Sequence, residues 1–187
     1  ASAGSGSVTF SGNVGATTAL SAITTSSATV IGGTTVNASG NISMSGTVTL
    51  SNDVTVGSTG GSVSLASGST INGNNSTARD LTVNAYSGVT VGALGNTYAL
   101  DNVTLATSNS GNISVNSGGS QSQRVTNLSI GGKNGTLVTI GSALSANSGA
   151  GTVTVTNAGG TIDFVGTSGT KIATSSINNI TAGTLNI

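Results

Sequence analysis

The stretch from Asn41 to Leu65, NISMSGTVTLSNDVTVGSTGGSVSL, decides the fold. Four times it places an apolar residue, a hydroxyl residue and an apolar residue in a row, then breaks with Gly, Ser or Asn. The apolar pairs are Ile42/Met44, Val48/Leu50, Val54/Val56 and Val63/Leu65, and the residues between them are Ser43, Thr49, Thr55 and Ser64. Successive side chains of an extended strand leave opposite faces, so each triplet sends two aliphatic groups inward and one hydroxyl outward. The stretch carries architecture and no catalytic group.

Working outward, the same triplet recurs almost from end to end. It is seen at Val8-Thr9-Phe10, Leu81-Thr82-Val83, Val89-Thr90-Val91, Val103-Thr104-Leu105 and Ile113-Ser114-Val115. It continues at Leu128-Ser129-Ile130, Val138-Thr139-Ile140, Val153-Thr154-Val155, Ile162-Asp163-Phe164 and Leu185-Asn186-Ile187. The breaks read as turns: Gly32-Gly33, Gly60-Gly61, Asn72-Gly73, Gly118-Gly119, Gly131-Gly132, Asn134-Gly135 and Gly159-Gly160. A longer repeat lies above this one, with related stretches beginning near Val8, Val89 and Ile162, as expected of one continuous array of stacked units over residues 1–187.

Composition excludes several classes. Charged residues are only 4% of the 187, with formal net charge zero. Disorder needs low hydrophobicity and high net charge, and this chain combines a positive mean hydropathy with no net charge. The four cations, Arg79, Arg124, Lys133 and Lys171, are scattered, whereas a nucleic-acid surface needs them clustered. No apolar run approaches the roughly 20 residues of a membrane-spanning helix, so neither nucleic acid nor membrane insertion is expected.

Short triplets at irregular spacing suit a parallel β-helix better than an antiparallel sandwich, whose hairpins want longer strands and regular turns. The expectation is therefore an all-β, right-handed parallel β-helix (β-solenoid) of about nine or ten coils, each taking roughly 18–22 residues. Absence of proline agrees, because an internal strand needs its N–H for the ladder. Asn13, Asn41, Asn52, Asn72, Asn112 and Asn157 fall at the breaks, where side-chain amides can stack and bond the backbone of adjacent coils or hold left-handed turns.

The segments GSVTFSGNVGATTALSAIT and DLTVNAYSGVTVGALGNTYALDNVTL, with the recurrent GNISM and GNISV, make the chain resemble the repeats of secreted bacterial exoproteins of the filamentous haemagglutinin type, exported by two-partner secretion. The resemblance covers essentially the whole chain. It implies a β-helical fibre outside the cell or on its surface, acting in adhesion, aggregation or biofilm matrix. The secretion signature of that family lies in an N-terminal domain not found in this stretch. Neither end reads as a cap, so self is an expected partner, through end-to-end or lateral contact, and the resemblance implies host or matrix glycans and proteins as others.

No catalytic residue, cofactor site or metal site is expected. Asp53, Asp80, Asp101 and Asp163 are separated in sequence and read as solvated or turn-capping acids, although one coil of spacing would bring Asp80 near Asp101. There is no histidine or cysteine, no calcium-binding nonapeptide, and no histidine base to activate a serine. The alternative reading is a carbohydrate-binding or carbohydrate-active β-helix. Its candidate contacts are Tyr86 and Tyr98, which would have to share a groove with two acids. An ice-binding solenoid is weaker still, because the outward places mix Thr with Asn and Gly.

Overall fold

The computed structural model describes residues 1–75, 77–109, 111–116, 125–131, 137–140, 144–145, 152–164, 172–173 and 176–186; beyond residue 139, apart from Thr161 and Thr184, it describes backbone only. The first coil holds β1 (Ser7–Phe10) and β2 (Ile23–Thr25), and β3 (Ala28–Ile31), β4 (Thr35–Ala38) and β5 (Ile42–Met44) make the second. Next come β6 (Val48–Leu50), β7 (Val54–Ser58), β8 (Ser62–Gly73), β9 (Arg79–Ala85), β10 (Gly88–Leu94), β11 (Leu100–Thr107), β12 (Ile113–Val115) and β13 (Val125–Gly131). The chain continues with β14 (Leu137–Ile140), β15 (Leu144–Ser145), β16 (Thr152–Phe164), β17 (Ile172–Ala173) and β18 (Ser176–Asn186). Among the described residues there is no helix, and every strand pairing is parallel.

Parallel pairing between segments one coil apart makes the chain a β-solenoid with three faces. On the first, β1, β3, β6 and the ends of β8 and β10 stack in order. The second stacks β4, β7, β9, β11, β13 and the starts of β16 and β18, with Val14 bridged to Val36 below them. The third stacks β2, β5, the starts of β8 and β10, then β12, β14 and the ends of β16 and β18. β15 and β17 pair with each other in the place that the first face holds in the chain order of a coil.

The triplets fold as their pattern dictates. On the third face Ile23, Ile42, Val63, Val89, Ile113 and Val138 form one inward column, and Thr25, Met44, Leu65, Val91 and Val115 the next. Every one of these is buried. Val36, Val56, Val83, Leu105 and Ile130 do the same on the second face. Each such side chain contributes about 1.5–3 kcal/mol by leaving water, and ladder pairing satisfies the backbone polar groups that burial would otherwise strand.

Coil count departs from expectation. Ile23 lies opposite Ile42, Ile42 opposite Val63 and Val63 opposite Val89, so successive coils take 19, 21 and then 26 residues. Up to Gly131 the chain makes about five turns, and nine or ten coils are not supported. Corners absorb the difference. One is the bend at Ala66 and Gly68, with φ of 52° and 80°; another is the stretch from Gly73 to Arg79, where Asn74 bridges Thr77 antiparallel and Asn75 has φ 57°.

Two expected turns are strand instead. Asn72-Gly73 ends β8 on the first face, where the two residues pair with Thr49 and Leu50, and Gly159-Gly160 lies within β16, which carries the chain around a corner from the second face to the third. Gly131 ends β13, while Gly132, Gly118-Gly119 and Asn134-Gly135 fall outside the described residues. Other glycines are required by contact rather than by backbone conformation. A Cβ on Gly111 would sit 1.6 Å from the carbonyl oxygen of Ser87 in the coil below. The related stretches near Val8, Val89 and Ile162 also separate: Val8 lies on the first face, while Val89 and Ile162 lie on the third, with Ile113 and Val138 between them.

Candidate functional site

The polar groups gather at the corners, and each corner has its own chemistry. Where the first face meets the second, Asp53 Oδ1 accepts a hydrogen bond from the Asp80 backbone N–H at 3.1 Å. Asp80 Oδ1 in turn accepts from both the backbone and the side-chain amide of Asn102, each at 2.9 Å. Asp101 Oδ2 accepts from the same Asn102 side chain at 3.3 Å, and Asn102 Oδ1 accepts from the Asn127 side chain at 2.8 Å. The coil thus brings Asp80 and Asp101 together as their spacing suggested. They meet as acceptors on a shared amide in an exposed seam, with one carboxylate oxygen each committed to a neighbouring N–H. Arg79 begins the strand beside them, and its Nε is buried with no hydrogen-bond partner among the described residues.

Asp163 is in register with Thr139, so it stands one coil above an outward hydroxyl position. Its side chain lies outside the described residues, as do Arg124, Lys133 and Lys171 entirely. Among the described residues no group of three or more His, Cys, Asp or Glu could hold a metal ion, and no helix is long and apolar enough to cross a membrane.

The two tyrosines do not converge. Tyr98 sits at the corner between the first and second faces, where its carbonyl accepts from the Gly73 N–H at 3.2 Å, on the side of the acidic seam. Tyr86 sits at the other end of the second face, where its N–H donates to the Gly61 carbonyl at 3.1 Å. A seven- to eight-residue strand separates the two corners, roughly 20 Å at about 3.3 Å per residue. Their exposures are similar, 42% for Tyr86 and 43% for Tyr98, but a shared groove with two acids does not form.

Sequence reasoning did not foresee a groove beside Tyr86. It is a cavity of about 490 Å³ lined by small and amide residues, among them Asn37, Gly57, Asn84, Ala85 and Ala106. Pairing places Asn37 opposite Gly57, Gly57 opposite Asn84 and Asn84 opposite Ala106, so one outward column of the second face forms its floor. Beside it, Thr35, Thr55, Thr82, Thr104 and Ser129 align as a column of hydroxyls. The only advance signal was spacing: Gly57, Asn84 and Ala106 each stand two residues after a triplet hydroxyl, and Asn37 stands two after Thr35. Which triplets share a face is not legible until the coils are counted.

Comparison with family models, with curated proteins and with solved structures found no match to this chain. What is established is therefore the class, an all-β parallel solenoid.

Proposed function

We propose that the chain is a structural and adhesive segment of an extracellular bacterial fibre or large adhesin, of the kind its repeats resemble, in which a right-handed solenoid serves as a rigid spacer. One observation carries this reading: the three ladders run parallel along one axis, each coil pairing with the next through backbone hydrogen bonds. A molecule built this way lengthens by a fixed rise of about 4.8 Å for each added coil without needing a new core. The surface supports the same reading, since charged residues are few and hydroxyl and amide groups supply most of the outward polarity. Contacts between rods, end to end or side by side, belong to the proposal.

Electron microscopy of the native material, with antibodies against this segment, is the test. Labelled rods projecting from cells or running through matrix support the reading. Label confined to the cell interior overturns it.

A further inference from the structure

The groove on the second face has a chemistry of its own. Its floor alternates: the amide of Asn37, then Gly57, then the amide of Asn84, then Ala106, on four successive coils. Neither amide has a side-chain hydrogen-bond partner among the described residues, unlike Asn13, Asn41, Asn72 and Asn112, which are all engaged. The Asn37 Oδ1 lies across Gly57, 2.6 Å from where a Cβ would be, so the glycine keeps room for it. Among the described residues no charged side chain lines the groove; Asp53, Arg79, Asp80 and Asp101 are all at the opposite end of the face. Tyr86 is exposed and follows the lining residue Ala85 in sequence, but it does not itself line the groove.

We propose that this groove binds an extended, neutral, β-linked polysaccharide lying along the solenoid axis. Asn37 and Asn84 are two coils apart, about 9.5 Å at the usual strand spacing, which is close to one disaccharide of an extended β-linked glycan. A primary amide offers two donors and an acceptor and so serves a pair of neighbouring sugar hydroxyls. Gly57 carries no side chain to crowd the Asn37 amide, and Ala106 leaves flat floor for the C–H face of a ring beyond Asn84. A peptide is the poorer occupant. The backbone N–H and C=O groups of this face are spent on the coils above and below, so strand addition has nothing to pair with. An anionic glycan would find no cation among the described residues of the groove.

This inference rests on the reading of the chain as an extracellular rod, but its test is independent of it. Binding of cellohexaose to the 187-residue protein is measured by calorimetry, with the side-chain amide signals of Asn37 and Asn84 followed by NMR. Expected are saturable binding, shifts at those two amides, and cellohexaose bound at least tenfold more tightly than cellobiose, because the floor spans several coils. The double variant Asn37→Ala/Asn84→Ala should lose tenfold or more, and Ala106→Leu, which fills the floor at an outward strand position, should lose a similar factor. Ser64→Ala on the third face should bind as the parent does, and circular dichroism checks that each variant is folded. Absence of cellohexaose binding, unchanged binding in the folded double variant, or equal binding of an oligogalacturonate overturns the proposal. None of these outcomes bears on whether rods are seen by microscopy.

Discussion

Asn41 ties its coil to the next through Ser62: its Oδ1 accepts from the Ser62 backbone N–H at 2.9 Å and from the Ser62 hydroxyl at 3.3 Å. The same device recurs at other corners. Asn13 Oδ1 accepts from the Thr34 N–H at 2.8 Å, Asn72 Oδ1 from Thr97 at 2.8 Å and Asn112 Oδ1 from Leu137 at 3.1 Å. At a corner the strand ladder lapses, and a side-chain acceptor satisfies the N–H of the coil above.

Asn41→Ala should therefore lower stability by about 1 kcal/mol, with up to about 3 kcal/mol if water cannot replace the lost acceptor. Asn41→Asp keeps the acceptor and should cost less. Thermal or urea unfolding of the two variants measures the difference, and equal losses would show that the bond to Ser62 is not the cause.

Gly111→Ala and Gly68→Ala separate two reasons for a glycine. A Cβ on Gly111 collides with the backbone of Ser87, which can yield only by spreading the coils. Gly68 has nothing within 4 Å of its Cβ position but a φ of 80°. Gly68→Ala should cost about 1–2 kcal/mol of conformational strain, and Gly111→Ala clearly more. The reverse order in denaturant midpoints would contradict the stacking of these corners.

Thr25 and Thr29 form a buried hydroxyl pair at 2.7 Å, each 1% exposed, between the third and first faces. Thr25→Val leaves the Thr29 hydroxyl with a longer bond to the Ser27 carbonyl at 3.3 Å and should cost about 1–3 kcal/mol. Replacing both threonines by valine removes the stranded group and should recover most of that loss. A double-variant cycle in urea unfolding reads the coupling; simple additivity would refute it.

Met44→Ala opens a void in the inward column between Thr25 and Leu65 and should cost about 2–5 kcal/mol. Thr55→Ala, at an outward position one coil removed, should fall within about 0.5 kcal/mol. Unfolding midpoints of the two variants make the comparison.

Much of this molecule is local and was readable before folding. Val48-Thr49-Leu50 and Ile113-Ser114-Val115 announce strands with two buried residues and one outward hydroxyl, because side-chain alternation is a property of the extended backbone alone. Bonds between coils were one expected role of the asparagines at the breaks, and Asn13, Asn41, Asn72 and Asn112 make them, while the side chain of Asn157 lies outside the described residues. Asn52 does so as a donor, to the Gly32 carbonyl.

Coil length was not local. It depends on how many residues each corner spends before the chain regains parallel register, 19 between Ile23 and Ile42 but 26 between Val63 and Val89, and corners carry no period to read. That count in turn decided which triplets share a face, that Tyr86 and Tyr98 stand at opposite corners, and that Asn37 and Asn84 frame one groove. Backbone alternation is written residue by residue in the sequence; alignment between coils is settled only when the whole chain has packed, because parallel partners lie some twenty residues apart and are chosen by the fit of the core.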